Sequence, residues 1–283
     1  MKTRVITGLI IVVAMVAVLL LSTTPVFPIT LALLSVIAMK EVFTVHSLEK
    51  TAYLTVPCYV AAALVPPVSY FLRVVKGDSE LGSIMILAGV LVVLMMYVFG
   101  ASVFAKGKIP YSAFASAFIM VAYILVSFNA ILLIRFVVDD TIGLLCLGLI
   151  LIGAWVSDVF AYFTGVLFGK HKLIPEVSPK KTVEGSIGAI VFTTLATVLL
   201  GVIASAITGV KANYLVLALS GPVLSVAGQI GDLFASIVKR EHGVKDYGDL
   251  LPGHGGIMDR FDSILATSIV TLVITLLCTP FSW

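Results

Sequence analysis

Carboxylates and basic side chains alternate along one stretch near the C-terminus. Between Asp232 and Asp262 the sequence has ten of its 33 charged residues, a total made up of 18 Lys and Arg and 15 Asp and Glu. Mg²⁺ binds hard oxygen ligands, usually one or two carboxylates together with phosphate oxygens and water. Lys and Arg neutralise the phosphate charge that a metal does not reach. The pattern therefore indicates a site for a metal-phosphate complex.

One face of a predicted helix carries the first polar group of this stretch. Helical spacing at i, i+4, i+7 and i+8 aligns a carboxylate, a hydroxyl and two cations: Asp232, Ser236, Lys239 and Arg240. Gly228 and Gly231, within the preceding turn, allow a helix or a ligand to approach closely. We expect a polar path toward the membrane surface, although Lys239 and Arg240 taken alone are better explained as interfacial anchors.

The loop after this helix combines Lys245, Asp246 and Asp249 with the turn sequence PGHGG. Its glycines permit positive φ and expose backbone N–H groups, which is the arrangement of a phosphate-binding nest. His254, inside the turn, either hydrogen-bonds a phosphate or organises the turn itself. Both roles stay open at this stage.

Two further carboxylates, Asp259 and Asp262, flank Arg260 where the last apolar run begins. If the helix starts here, their i, i+3 spacing places both carboxylates on one side. Acidic residues at a helix start also fit capping and the helix macrodipole. Ligand and capping roles are therefore alternatives for both residues.

Asp158, like Asp232, lies within an apolar run. Helical spacing places it on a stripe with Trp155, Tyr162, Gly165 and Gly169, and the GxxxG pair allows another helix to approach closely. An ionised Asp at the bilayer centre costs about 2.5 to 3.5 kcal/mol, so it should face a partner or a water-filled cavity. The residue has either a functional role or a purely structural, hydrogen-bonded one.

The sequence SPKKT in another polar loop contributes Lys180 and Lys181. These lysines either bind phosphate or are the positive charges that cytoplasmic loops of membrane proteins usually carry.

The elements that must position these residues are membrane helices. The chain of 283 residues is 60% hydrophobic and 12% charged, with a mean hydropathy of +1.17, far from the composition of soluble domains. We predict an all-α, polytopic integral membrane protein with about nine transmembrane helices. The apolar runs lie near residues 5–22, 26–44, 52–73, 82–104, 111–135, 141–168, 184–209, 213–238 and 262–281.

These runs divide the chain into two predicted regions without a separate soluble domain. Residues 1–135 form about five N-terminal spans, and residues 136–283 form a catalytic region with polar loops near 169–183 and 239–261. The first run is long enough to be a retained span and has no clear small-x-small cleavage site, which favours a span over a signal peptide.

The distribution of Lys and Arg predicts that both polar loops face the cytoplasm. With the N-terminus inside, 14 of the 18 basic residues fall on the cytoplasmic side, and only Arg73, Lys76, Arg135 and Lys211 fall outside. The net charge of +3 reflects this topology and gives no reason to expect nucleic acid as a partner.

The three cysteines, Cys58, Cys146 and Cys278, lie in apolar runs without metal-ligand spacing. They predict core packing instead of a zinc site or a disulfide.

The charged stretch as a whole resembles the signature of the phosphatidate cytidylyltransferases, or CDP-diacylglycerol synthases. The matching positions are Ser236, Lys239, Arg240, Lys245, Asp246, Gly248, Leu251, Pro252, His254, Gly255, Gly256, Asp259, Arg260, Phe261 and Asp262. A second region is also similar to that family, from Ser157 and Asp158 through Phe168–Lys172 to Ser178–Thr182. The resemblance is detailed in the C-terminal half and covers the N-terminal half in hydropathy alone.

The resemblance implies a magnesium-dependent reaction of CTP with phosphatidic acid in the bilayer, giving CDP-diacylglycerol and pyrophosphate. It also implies a homodimer. Together with the Lys and Arg asymmetry, we expect a protein of the cell inner membrane whose active site faces the cytoplasm. A phosphomonoester carries about −1.5 to −2 charges near pH 7, so the lipid phosphate is already a nucleophile. The chemistry then needs in-line positioning and charge stabilisation at the α-phosphorus of CTP.

On this basis we expect the following roles. Asp232 and Asp259 are the leading Mg²⁺ ligands, and Asp246, Asp249 and Asp262 are further candidates. Phosphates would be bound by Lys239, Arg240, Lys245, Arg260, Lys180 and Lys181. The catalytic set is Asp232, Lys239, Asp246, Asp259 and Arg260, and substrate binding would also involve Ser236, His254 and Asp158, the last supporting the cavity or a second cation.

Two other functions are compatible with parts of the pattern. Asp158 and Asp232 inside Gly-containing spans also suit a secondary transporter of an anionic solute. The charged stretch also suits a CTP-dependent enzyme acting on an isoprenoid lipid. Pyrophosphate formation that depends on CTP and lipid phosphate excludes the transporter, and product analysis with each lipid separates the two enzymes.

Overall fold

The fold is almost entirely helical, as the sequence predicts. A computed structural model describes residues 2–75, 77, 80–104 and 111–283; of the basic residues assigned to a membrane side, Lys76, Lys106 and Lys108 lie outside this part. The helices are α1 (Lys2–Leu20), α2 (Val26–Val45), α3 (Ala52–Tyr70), α4 (Glu80–Phe104), α5 (Tyr111–Arg135), α6 (Asp140–Leu151), α7 (Ser157–Phe168), α8 (Val183–Thr208), α9 (Tyr214–Glu241) and α10 (Met258–Cys278).

Each of the nine apolar runs corresponds to a helix or to a helix pair. Eight helical segments in the described part of the chain are long and apolar enough to cross a membrane, and α1 contributes a shorter apolar stretch, Thr7–Leu20. A π-helical turn, Phe71–Val75, extends α3, and another, Ile152–Val156, joins α6 to α7. The second π-helical turn ends two residues before Asp158, and such turns are frequent at functional sites.

The two helix ends that border the charged stretch extend beyond the predicted runs by about one turn. Helix α9 continues to Glu241, so Lys239 and Arg240 are helical, and α10 begins at Met258. Asp259 and Asp262 therefore belong to the start of α10, which is the condition for their i, i+3 relation.

The strands are short and form two antiparallel pairs. Strands β1 (Lys172–Ile174) and β2 (Ser178–Thr182) make a hairpin between α7 and α8. Strands β3 (Lys211–Ala212) and β4 (Phe281–Ser282) pair before α9 and after α10. Thr182 ends the hairpin and caps α8, because its Oγ1 accepts a hydrogen bond from the Gly185 N–H at 3.1 Å.

The chain forms two compact units. The first comprises Met1–Leu133 together with Val244–Arg260, so the loop after α9 groups with the N-terminal helices. Helices α2 and α3 pack together here, and the rings of Phe43 and Tyr59 meet edge to face at 5.6 Å. The largest fully buried side chains of this unit include Met39, Phe43, Phe114, Met120 and Phe128.

The second unit comprises Ile134–Gly243 and Phe261–Trp283, and α8 packs in it against both α7 and α9. Small residues bring these helices together, as membrane packing without a strong hydrophobic drive requires. A methyl group on Gly165 would lie 3.8 Å from the Gly185 Cα, and one on Gly188 would lie 2.6 Å from the Thr164 Cβ. The close approach predicted for the GxxxG pair is therefore made to α8.

Candidate active site

An ion pair joins the two polar regions that the sequence places in separate loops and spans. In the second unit, Lys181 Nζ at the end of β2 lies 2.5 Å from Asp232 Oδ2 in α9. The ammonium nitrogen is shielded from solvent, while the Asp232 side chain is 28% exposed. The β1–β2 hairpin thus positions the ammonium group of Lys181 against a carboxylate of a membrane helix.

Asp262 and Asp158 extend this pair into a larger cluster. The Asp262 carboxylate lies within electrostatic reach of Asp232, Asp158 and Lys239. Its Oδ1 accepts a hydrogen bond from the Ser263 N–H at 2.7 Å, and the Ser263 hydroxyl donates to Asp158 Oδ2 at 3.4 Å. We call Asp158, Lys181, Asp232, Lys239 and Asp262 the acidic cluster.

Lys239 is the second cation of the acidic cluster and is only 8% exposed. A lysine at an ordinary interfacial anchor extends its ammonium to water. The burial of Lys239 beside Asp262 therefore does not fit the anchor interpretation. Arg240, the next residue, is exposed and keeps the geometry of an anchor.

Close helix packing at two glycines builds the acidic cluster. A methyl group on Gly231 would lie 2.7 Å from the Asp262 carbonyl oxygen, and one on Gly228 would lie 2.8 Å from the Gly153 carbonyl oxygen. Larger residues would push α10 and the π-helical turn away from α9. The close helix approach predicted at Gly228 and Gly231 is thus present, and it brings Asp262 toward Asp232.

A buried hydrogen-bond chain, which the sequence analysis missed, supports the same helices. The Ser186 hydroxyl donates to Gln229 Oε1 at 2.5 Å, and Gln229 Nε2 donates to the Ser225 hydroxyl at 3.1 Å. The Ser225 and Ser157 hydroxyls are 2.9 Å apart. The chain ties α7, α8 and α9 beside Asp158 and Asp232. The sequence feature that could have indicated this hydrogen-bond chain is Gln229, a polar residue between Gly228 and Gly231 in an apolar helix.

The donor set of the acidic cluster fits Mg²⁺. In the described part of the chain, no three or more His, Cys, Asp or Glu side chains are arranged to hold a metal by themselves. Mg²⁺ usually takes only one or two carboxylates from the protein and completes its shell with substrate phosphates and water. Asp232 and Asp262 offer such carboxylate oxygens, next to lysines that suit the phosphates.

The first unit contains the loop after α9, which carries much of the sequence that resembles the family signature. Backbone N–H groups of this loop donate hydrogen bonds to carboxylates. Asp259 is 8% exposed, and its Oδ2 accepts hydrogen bonds from the N–H groups of Tyr247 at 2.7 Å and Gly256 at 3.0 Å. The turn uses positive φ at Gly253 (77°) and Gly255 (80°), as the glycine content predicts. Asp259 therefore organises the loop, whatever further role it has.

Glu41 in α2 holds the end of the same loop and was absent from the predicted site. Its Oε1 accepts from the Ile257 N–H at 2.9 Å, and its Oε2 accepts from the Met258 N–H at 2.8 Å. Within the predicted PGHGG nest, the N–H of Gly256 is already bound by the Asp259 carboxylate, so the expectation of phosphate binding is wrong for that group. An acidic residue near the end of an apolar run was the only sequence signal.

The turn around His254 is closed by backbone hydrogen bonds. The Leu251 N–H donates to the Gly255 carbonyl at 2.9 Å, and the His254 N–H donates to the Leu251 carbonyl at 2.8 Å. His254 Nδ1 is buried and has no hydrogen-bond partner among the described residues. The turn therefore does not need this nitrogen, and phosphate binding by His254 stays a prediction.

The remaining predicted residues lie at or near the surface of their units. Lys245, Asp246, Asp249 and Arg260 in the first unit are exposed, as is Lys180 in the second, while Ser236 is half-buried in α9. The structure places them within or next to the elements that carry the buried carboxylates. Their substrate and metal roles stay predictions.

Comparison with known proteins identifies the family of the chain. Residues 2–278 match the cytidylyltransferase family. A phosphatidate cytidylyltransferase of Staphylococcus epidermidis is 34% identical over 234 residues, which cover 82% of this chain and 83% of that protein.

Shorter segments are more similar. The phosphatidate cytidylyltransferase of Bacillus subtilis is 49% identical over 111 residues, covering 39% of this chain and 40% of that protein. The one from Mycobacterium leprae is 47% identical over 121 residues, covering 43% and 37%. The family match spans nearly the whole chain, and the Staphylococcus relative covers more than two thirds of it. The chain belongs to the cytidylyltransferase family.

Proposed function

We propose that this protein transfers the cytidylyl group of CTP to phosphatidic acid, forming CDP-diacylglycerol and pyrophosphate. A phosphate oxygen of the lipid attacks the α-phosphorus of CTP, and the bond from that phosphorus to the bridging oxygen of the β-phosphate breaks. Pyrophosphate leaves with that oxygen. Because the lipid phosphate is already anionic, the reaction needs no side-chain nucleophile.

The observation that carries this proposal is the acidic cluster. Lys181 and Lys239 provide two shielded positive charges among carboxylates at the ends of membrane helices. A phosphate group entering the cluster would exchange its water for fixed, preorganised cations, which is the main source of catalysis in phosphoryl-group chemistry. The membrane setting gives a diacyl lipid access to the same helices.

Magnesium is the proposed cofactor. Asp232 and Asp262 would hold the ion within the second unit, and Asp259, Asp246 and Asp249 are further proposed ligands. When bound, Mg²⁺ supplies Lewis-acid stabilisation of charge on the CTP phosphates. Lys181 would give up part of its contact with Asp232 and turn to phosphate, and Ser263 would keep Asp158 oriented. Asp158 would support the cavity or a second cation.

We further propose that the active site faces the cytoplasm at the inner membrane and that two copies of the chain form a homodimer. The first proposal is supported by the concentration of basic residues on one side of the predicted topology. The second follows from the family resemblance.

Product analysis with purified protein tests the proposed reaction. Labelled CTP and Mg²⁺ are supplied with phosphatidic acid, with an isoprenoid phosphate or with an isoprenoid alcohol. We expect lipid-soluble label as CDP-diacylglycerol with phosphatidic acid only. A labelled isoprenoid product would favour the other CTP-dependent enzyme, and solute uptake into proteoliposomes without any CTP-derived product would favour the transporter.

A further inference from the structure

Glu41 is a buried acid in the N-terminal part of the chain that the proposed reaction does not use directly. It lies near the C-terminal end of α2 and is only 7% exposed. Its two carboxylate oxygens accept hydrogen bonds from two consecutive N–H groups: Oε1 accepts from Ile257, and Oε2 accepts from Met258. A membrane helix thus caps the start of α10 with a carboxylate, where the free N–H groups and the helix dipole favour negative charge.

Two glycines of the loop make room for this carboxylate. A methyl group on Gly256 would lie 2.5 Å from the Glu41 Cδ, and one on Gly248 would lie 3.0 Å from Oε1. Neither glycine has positive φ. Backbone conformation therefore does not demand glycine at these positions, whereas the space occupied by the Glu41 carboxylate does.

Glu41 and Asp259 hold adjoining parts of the same loop. Asp259 binds the N–H groups of Tyr247 and Gly256, and Glu41 binds the next two, those of Ile257 and Met258. Any shift of the loop away from Glu41 would move the N–H of Gly256 and, with it, the Asp259 carboxylate. The orientation of Asp259 therefore depends on Glu41.

We propose that Glu41 is a positioning residue, which holds the loop from Tyr247 to Asp259 in the shape that the reaction uses. This inference rests on the proposed function for its catalytic consequence. Residues that orient the groups contacting a metal or a substrate commonly contribute about 10- to 100-fold to affinity or activity. In this proposal Glu41 acts through Asp259 and does not itself bind substrate.

The test begins with Glu41→Gln, which keeps the side-chain size but turns one acceptor oxygen into an NH₂ group facing a backbone N–H. Glu49→Gln is the matched control, because Glu49 is an exposed acid shortly after the same helix. Hydrogen-deuterium exchange is measured over residues 247–258 without substrate or metal. We expect faster exchange in Glu41→Gln and wild-type exchange in Glu49→Gln.

Kinetics of the same variants separate positioning from general stability. For Glu41→Gln we expect kcat per folded molecule to fall about 10- to 100-fold, the KM for CTP to change less than about threefold, and the Mg²⁺ concentration for half activation to rise. A purely structural role would lower the melting temperature and leave kcat per folded molecule and the Mg²⁺ requirement unchanged. That result would overturn the inference.

A second pair of variants covers the case in which Glu41→Gln does not fold. Gly256→Ala should be strongly impaired, because its methyl group collides with the Glu41 carboxylate. In Glu41→Ala the same methyl group enters vacated space, so Gly256→Ala should add little further loss. Additive losses, or wild-type exchange in Glu41→Gln, would contradict the inference whatever lipid the enzyme uses. Absence of CDP-diacylglycerol with the wild-type protein would instead contradict the proposed function.

Discussion

At the scale of single residues, the shielded charge of Lys181 is the feature that most needs a reason. Shielding the Lys181 ammonium from water costs desolvation energy that offsets much of its attraction to Asp232, so this ion pair is weak evidence for stability. Lys181 and Asp232 are nevertheless held 2.5 Å apart by a strand end and a helix. We infer that both charges bind ligands: Lys181 binds phosphate, and Asp232 binds a cation.

Replacing Lys181 by Met tests this inference, since Met keeps most of the side-chain length and removes the charge. We expect kcat/KM for CTP to fall about 10²- to 10³-fold, the range for losing one preorganised charge-stabilising donor. Lys172→Met, in the paired strand β1, is the control for net charge and should stay within a few-fold of wild type. Equal activities of the two variants would make Lys181 an ordinary cytoplasmic-loop charge.

Asp259 allows a cleaner separation of charge from structure. In Asp259→Asn the amide oxygen can still accept from the N–H groups of Tyr247 and Gly256, so the loop should keep its shape. Loss of the negative charge should lower kcat by about 10²- to 10³-fold, with only weak rescue by added Mg²⁺. The melting temperature is recorded in parallel. Activity within a few-fold of wild type would leave Asp259 with the loop-organising role alone.

At the scale of elements, the start of α6 shows how a cap outside the membrane span contributes stability. Asp139 Oδ1 accepts from the N–H groups of Thr141 at 2.8 Å and Ile142 at 2.9 Å, and the Trp283 indole donates to Oδ2. Burial alone would raise the pKa of Asp139. These hydrogen bonds and the nearby Arg135 charge outweigh burial and lower that pKa below its ordinary value.

Asp139→Ala should therefore destabilise the protein by about 0.5 to 2 kcal/mol, the usual contribution of an N-cap. Because the folded pKa is depressed, the ionised cap contributes above the unfolded pKa of about 3.9, and the contribution disappears as pH falls through the folded pKa. Melting temperatures of wild type and variant should differ at pH 7 and converge in acid. Asp139→Asn, nearly as good a cap, should stay close to wild type at pH 7; a loss equal to that of Asp139→Ala would contradict the capping role.

The individual helices were predictable, but their partners were not. An apolar run of about 20 residues must be helical in lipid, because each backbone polar group needs a partner within the segment. Lys181 and Asp232 belong to a strand and a helix whose pairing no periodicity encodes. Glu41 and Ile257 are 216 residues apart, and in the sequence Glu41 is one charge at the end of an apolar run. Helix packing alone brings such residues together.

The glycine-rich loop shows a second limit of sequence reasoning. Its glycines correctly predict positive φ at Gly253 and Gly255. The sequence cannot distinguish an external anion from a carboxylate of the same chain as the partner of the exposed N–H groups. In the structure Glu41 and Asp259 take the N–H groups of Tyr247, Gly256, Ile257 and Met258.

At the scale of the whole molecule, the asymmetry of Lys and Arg predicts which loops face the cytoplasm. Leu250, in the loop after α9, is 54% exposed, and Val138, between α5 and α6, is 60% exposed. In a background lacking the exposed Cys278, Leu250→Cys should resist a membrane-impermeant thiol reagent in intact cells and react after lysis. Val138→Cys should react in intact cells. The reverse pattern would invert the topology.

The central claim is that this membrane protein transfers the cytidylyl group of CTP to a lipid phosphate, with release of pyrophosphate, at the acidic cluster. The most direct measurement is pyrophosphate release by the purified protein, with CTP, phosphatidic acid and Mg²⁺ each omitted in turn and Asp232→Asn run beside wild type. We expect pyrophosphate equimolar with CDP-diacylglycerol only in the complete mixture, and about 10²- to 10³-fold slower release by Asp232→Asn. No release by wild type in the complete mixture, or equal release by Asp232→Asn, would contradict the claim.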